Sequence, residues 1–323
     1  MPGKHCLSGY SCLNFHMKKD EITHHRFKTL SEAFHSFGLP DPQHPLIGFI
    51  NSDKSQTVSG NFPQSHALNF YKISLKRQMS GKIRYGQTYY DFNGGGLLFA
   101  SPNQIIGNQS GTNPGECSQY TLLIHPDFLW NYPLAKKIKQ YGFFSYSINE
   151  ALHLSDKEKE IIDTIFRNIE EELDSRIDDF SQDVIISQIE LLLNYANRFY
   201  KRQFITRKAV NNDLLQKLEE VLEEYFENET SARQGLPTVQ YLSDKLAISP
   251  SYLSDMLRSL TGQNAQQHIH DKLIEKAKEK LSITNLSVTE IAYGLGFEYP
   301  QSFSKLFKSK TNLSPLEFRR SFN

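Results

Sequence analysis

The fold is decided by two stretches near the C-terminus: TVQYLSDKLAISPSYLSDMLRSLTG, from Thr238 to Gly262, and SVTEIAYGLGFEYPQSFSKLFKSKTN, from Ser287 to Asn312. Set one above the other, they repeat. Val239 falls on Val288, Leu242 on Ile291, Leu246 on Leu295 and Ile248 on Phe297. After one inserted residue, Leu253 falls on Phe303, Met256 on Leu306, Leu257 on Phe307 and Gly262 on Asn312. Each copy predicts a helix, a tight turn and a second helix. Thr238 and Ser287 are N-cap residue types, and Ser287 with Glu290 has the spacing of a capping box. Ala247 and Gly296 place a small residue in the turn, where two helices approach at a steep angle. Ser249-Pro250 reads as an N-cap followed by Pro at the first helical position. Gly262 and Asn312 both tolerate a left-handed C-terminal cap. Ser314-Pro315-Leu316-Glu317 predicts one more short helix.

In a helix-turn-helix unit the second helix enters the major groove of DNA. The first copy presents Ser251, Ser254, Asp255 and Arg258 outward, with Leu253, Leu257 and Leu260 on the core side. The second presents Gln301, Lys305 and Lys308, flanked by Ser302 and Ser304, with Phe303, Leu306 and Phe307 inward. Any amphipathic helix pair has an apolar stripe, so one unit alone carries little weight. Two units with matched caps, turns and apolar positions carry much more. A helix expected from Ala265 to Leu281 joins them, and its roughly 25 Å can hold two reading helices about one DNA turn apart. From Leu236 to Asn323 there are 11 basic and 8 acidic residues. So modest an excess leaves base contacts and shape to matter beside counterion release.

These residues resemble the AraC/XylS family of bacterial transcription regulators. The resemblance rests on Gly296-Phe297, Phe303, Phe307-Lys308, Asn312-Leu313-Ser314-Pro315 and Phe318-Arg319, with Asn312 in place of the usual Gly. It covers about the last 110 residues. The family's base-contacting positions then fall on Ser251, Ser254 and Asp255 in the first unit, and on Pro300, Gln301, Ser302 and Lys305 in the second. Gln301 can pair with adenine and Lys305 with guanine. Asp255 either accepts from cytosine or pairs with Arg258. The resemblance also implies double-stranded DNA and RNA polymerase as partners.

Working outward, residues 213–227 predict a helix, and Ile205–Asn211 reads as a polar linker. Ser155 caps an expected helix to about residue 177, with Ile161, Ile162, Ile165, Phe166, Ile169 and Leu173 on one stripe. A second, from about Gln182 to Tyr200, carries Ile185, Ile186, Ile189, Leu192, Leu193, Ala196 and Phe199. Both have the 3.6-residue period of amphipathic helices, and the pair is expected to serve as a dimerisation hairpin. From Pro45 to Pro126 short runs rich in Ile, Phe, Tyr and Leu alternate with turn signals, which predicts an antiparallel β-domain. The segment from Gly81 to Gly86 and that from Asp91 to Pro102 are similar in texture to the family's cupin-like sensor domain. A metal-binding cupin would need a His-x-His pair with a later Glu and His. His66 and His125 stand apart, so no metal or cofactor is expected. Residues 20–37 look weakly helical, and Met1–His16 are expected to be disordered, with Met17 a possible alternative start.

The whole chain bounds this reading. It has 323 residues, 38% of them hydrophobic, and 36 basic against 36 acidic groups, so any basic surface is local. Cys6, Cys12 and Cys117 form no disulfide framework, and there is no apolar run of membrane-spanning length, so a cytoplasmic protein is expected. The expected fold class is α+β: an N-terminal antiparallel cupin-like barrel with a helical hairpin, plus an all-α C-terminal domain of two helix-turn-helix units. The expected divisions are a tail at 1–44, a sensor β-domain at 45–154, a hairpin at 155–203, a linker at 204–212 and a DNA-binding domain at 213–323. The expected function is a dimeric, sequence-specific regulator controlled by a small molecule or signal at the N-terminal domain. The alternative is a cupin-type enzyme fused to a DNA-targeting module.

Overall fold

The computed structural model describes residues 25–54, 65–76, 82–85, 88–91, 95–107, 118–147, 150–175, 178–228 and 230–321. Met1–His16, Met17 and the three cysteines lie outside the described residues. The chain begins with β1 (His25–Phe27), α1 (Leu30–Ser36), β2 (Ile47–Asn51), β3 (Ser65–Leu68), β4 (Tyr71–Lys76), β5 (Lys82–Tyr85), β6 (Thr88–Asp91), β7 (Gly96–Ala100), β8 (Ile105–Gly107) and β9 (Ser118–Ile124). The stretch expected to be weakly helical is therefore part strand. His25–Phe27 pairs parallel with β3 at His66, and only the segment behind the Thr29–Glu32 capping box is helix.

Three sheets form: β10-β7-β4-β9-β2, where β10 is Leu152–His153, then β1-β3-β8, and the β5-β6 hairpin. The expected closed barrel is not found, because among the described residues no ladder joins these sheets. The apolar stretch around Leu68–Leu75 divides at Asn69-Phe70, with β3 ending at Leu68 and β4 starting at Tyr71 in different sheets. Period-2 alternation sorts β4. Tyr71, Ile73 and Leu75 face the main core, while Ser74 turns the other way and its hydroxyl pairs with that of Thr121 at 3.0 Å.

Helices then take over, with α2 (Leu134–Lys137), α3 (Asp156–Asp174) and α4 (Ser181–Thr206). Ser155 caps α3 in a capping box with Glu158. The stripe Ile162, Ile165, Phe166, Ile169 and Leu173 is buried against the five-stranded sheet, with Phe166 stacked on Tyr120 at 5.5 Å. Ile161, expected on this stripe, is 36% exposed, since its position lies at the stripe's edge. Arg202 of α4 grips Glu158 through two hydrogen bonds of 3.1 and 2.8 Å. Gln203 accepts from the His153 N–H and donates to the Ala151 carbonyl, covering the edge that β10 would leave open.

The last third is α5 (Lys208–Glu227), α6 (Thr230–Gln234), α7 (Val239–Leu246), α8 (Pro250–Thr261), α9 (Ala265–Ile283), α10 (Val288–Gly294), α11 (Pro300–Thr311) and α12 (Pro315–Arg320). The polar stretch expected as a linker is helical on both sides of a break at Arg207. There Asn211, wholly buried, donates to the Phe204 carbonyl at 2.6 Å. One apolar core runs from Ile47 and Ile73 through Leu192 and Leu193 of α4 to Tyr252 and Phe303.

Candidate nucleic-acid interface

The two units are built alike down to the hydrogen bonds of their turns. Ser249 and Thr238 accept from the backbone N–H three residues on, and Ser287 and Glu290 complete a capping box whose bonds hold the Glu290 carboxyl below its usual range. In the first turn Ile248 N–H reaches the Ser243 carbonyl at 3.1 Å, and Ala247 N–H reaches that of Asp244 at 3.3 Å. In the second, Phe297 N–H reaches Ala292 at 3.0 Å and Gly296 N–H reaches Tyr293 at 2.9 Å. Both are Schellman turns, with a left-handed residue followed by an apolar one. Ala247 has φ 56° and Gly296 φ 91°. Gly296 has a second reason to lack a side chain, since an added Cβ would lie 2.6 Å from the Gly235 carbonyl carbon and 2.8 Å from the Ser231 carbonyl oxygen. Gly262 and Asn312 close α8 and α11 at φ 79° and 61°, so the Asn does the glycine's work.

The joining helix α9 has 19 residues, two more than expected, and is about 28 Å long. Arg319 donates to the carbonyls of Leu281 and Leu286, fastening α12 to the end of α9. Lys272 and Lys276 of α9 both engage Glu223 of α5 and hold its carboxyl below the usual range.

The reading faces differ sharply in access. On α11, Gln301, Ser302, Lys305 and Lys308 are exposed and Pro300 is half-buried. Lys310 is spoken for, because its ammonium bonds to Asp271 at 2.7 Å. Of the four residues assigned to the α8 reading face, Arg258 is exposed, while Ser251, Ser254 and Asp255 are half-buried. Asp255 pairs with Arg258 at 3.0 Å, as one of the two sequence expectations held, and also accepts from the Tyr146 hydroxyl at 2.8 Å. Burial, with Asp255 beside it, holds the Tyr146 phenol well above its ordinary pKa, so it stays a donor. The helix expected to stand free for DNA thus meets residues from the other half of the chain. Sequence reasoning missed Gly142, Tyr146, Glu150 and Phe204. The available signal was Tyr252, an aromatic residue that neither the core face nor the reading face of α8 explains.

Two tandem helix-turn-helix units with this geometry define a class of DNA-binding protein. Residues 242–321 match the family model described as a helix-turn-helix domain, and the C-terminal third of the chain is an AraC-type domain of that class. It is 38% identical over 79 residues to the transcriptional regulatory protein YesN of Bacillus subtilis, covering 24% of this chain and 22% of that one. To the transcriptional activator RhaS of Salmonella schwarzengrund it is 29% identical over 141 residues, 43% of this chain and 46% of that one. The chain thus spans less than half the length of either relative. The C-terminal domain of the response regulator yesN from Fusobacterium nucleatum subsp. nucleatum is 34% identical, covering 31% of this chain and 96% of that one, with a TM-score of 0.28.

Proposed function

We propose that this protein is a sequence-specific transcription regulator that reads double-stranded DNA through α11 and α8. The observation that carries the reading is the matched pair of capped helix-turn-helix units, one with its reading face open to solvent. Gln301 and Lys305 would read base edges, with Pro300, Ser302 and Lys308 beside them. In the first unit Ser251, Ser254, Asp255 and Arg258 would do the same. Residues 213–323 would form the DNA-binding domain, behind a tail at 1–44, a sensor β-domain of cupin-like kind at 45–154, a hairpin at 155–203 and a connection at 204–212. The protein would work in the cytoplasm, meet RNA polymerase at its promoters and answer to a small molecule in the β-domain. The relatives named above are regulators, and nothing favours the enzyme alternative.

A dimer is part of the proposal. On α4 the buried stripe is complete, yet the N-cap residue Phe180 and, on another face, Val184 and Leu191 are 70, 41 and 43% exposed. They stand at helical spacing, and Trp130, 77% exposed, lies on the turn that Gln182 fastens to the start of α4. An apolar face of this kind fits self-association.

The test is binding to a duplex enriched by the full-length protein from a random pool. Gln301→Ala and Lys305→Ala should each weaken it by roughly 1–3 kcal/mol while leaving binding to scrambled DNA nearly unchanged. Variants that keep the wild type's full preference for the enriched over the scrambled duplex would remove α11 from readout.

A further inference from the structure

The first reading helix is gripped at its N-terminus and along its side by the other half of the chain. Ser249, the N-cap of α8, donates its backbone N–H and its hydroxyl to the two carboxylate oxygens of Glu150, both at 2.5 Å. Glu150 is wholly buried and takes a third bond from the Ser147 N–H at 2.7 Å. Its backbone carbonyl accepts from the Tyr200 hydroxyl of α4 at 3.3 Å. One turn along α8, Tyr146 bonds to Asp255 at 2.8 Å. Between them the Tyr252 ring, wholly buried, packs edge-on against Tyr146 and Phe204, each centroid at 5.2 Å. Gly142 lies so close to Asp255 that a Cβ added there would sit 3.3 Å from the Asp255 Cγ.

This arrangement cannot coexist with groove entry by α8. The major groove is about 12 Å wide, and a helix with its side chains is already about 10–12 Å across. No room is left for a second layer of protein against Asp255. The α11 face carries no such layer. Burial drives the Glu150 carboxyl above its usual range against the three bonds that pull it down, so docking offsets its own gain with a desolvation cost.

We propose that the arrangement seen here is a state in which α8 is barred from DNA, latched by Glu150 on the N-terminus of α8 and by Tyr146 on Asp255, and that two-site DNA binding requires this latch to open. The inference rests on the DNA-binding reading above and assigns its regulation. Glu150, Tyr146 and Gly142 are latch residues with no part in touching DNA. The closed state leaves α11 alone for weak engagement, and opening returns Ser251, Ser254 and Asp255 to the groove.

The test uses the full-length protein, the enriched duplex and a scrambled duplex, with hydrogen exchange of the 249–257 segment as a DNA-independent readout of opening. Tyr146→Phe removes one hydroxyl and should shift docking, and hence affinity for the enriched duplex, by about three- to tenfold. Glu150→Ala should do more, and Tyr146→Phe and Gly142→Ala stand in for it should it fail to fold. The converse arm is Gly142→Cys with Asp255→Cys, in a background with Cys6, Cys12 and Cys117 changed to Ser. The oxidised pair should lose affinity and regain it on reduction, which compares one protein with itself. Faster exchange at 249–257 with tighter selective binding supports the latch. Faster exchange with unchanged selective binding overturns it and leaves DNA binding standing. No selectivity in the wild type or in any opened variant overturns the DNA-binding reading, and the latch as its control falls with it.

Discussion

The two Schellman turns offer a reciprocal experiment, Gly296→Ala against Ala247→Gly. At φ 91°, Gly296 occupies a backbone region that costs an L-residue about 1–2 kcal/mol. The added methyl would also meet the Gly235 carbonyl carbon at 2.6 Å and its oxygen at 2.7 Å. These are backbone atoms that cannot rotate aside, and overpacking of this kind costs about 1–3 kcal/mol. Gly296→Ala should therefore cost about 2–5 kcal/mol. Ala247 sits at φ 56° and ψ 40°, so Ala247→Gly relieves strain but adds unfolded-state freedom worth roughly 0.5–1 kcal/mol. Its net effect should lie between about zero and 1.5 kcal/mol of stabilisation. The assay is urea unfolding of the full-length variants followed by far-UV circular dichroism, beside the wild type. A Gly296→Ala protein within about 1 kcal/mol of wild type would show that the α6 turn yields freely, and would refute the claim that it fixes the second unit's turn.

Further outcomes follow from other sites. His153 is pushed down to about 3 by burial, aided by Arg207 and Arg202. Between pH 6.5 and that value the unfolded chain binds a proton the folded chain does not, so stability falls with pH by up to about 1.4 kcal/mol per unit. His153→Gln should flatten that slope in urea midpoints taken between neutral and acid pH, and an unchanged slope would remove His153 from the acid response. Replacing Phe180, Val184 and Leu191 by Ser should convert a dimer to monomer by sedimentation while leaving the far-UV circular dichroism of the folded chain unchanged. A dimer that survives would place the interface elsewhere. Glu223→Gln leaves Lys272 with Glu275 and Lys276 with Glu279 and should cost up to about 1 kcal/mol in the same urea assay.

The helix-turn-helix units were legible because their signals are local. A cap and its partner lie three residues apart, a Schellman turn spans six, and Gln301, Lys305 and Phe303 sort themselves by helical period. The β-sheets were legible as strands but not as sheets. β2 pairs with β9 and β1 with β3, and no short-range pattern says that Phe49 will oppose Leu122 or that Asn69-Phe70 will switch the chain between sheets. The α8 contact was hidden for the same reason. Glu150 and Ser249 are 99 residues apart, and a lone Glu after a 3-10 turn has no pattern to betray it. Asp255 was assigned only to DNA or to Arg258, because the outward face of an amphipathic helix gives no sign of a partner from a distant part of the chain.

The Arg207 elbow, with Asn211 locked onto Phe204, joins the two halves by a short helical corner. Short connections hold joined surfaces at effective concentrations in the millimolar range. A contact too weak to hold two separate proteins together would still keep this one mostly closed. A signal then needs to supply little to open it, since each tenfold change in the balance is about 1.4 kcal/mol. On the latch proposed above, the threshold of the response would then drift through single substitutions at Gly142, Tyr146 or Glu150, while the residues proposed to read DNA stay as they are.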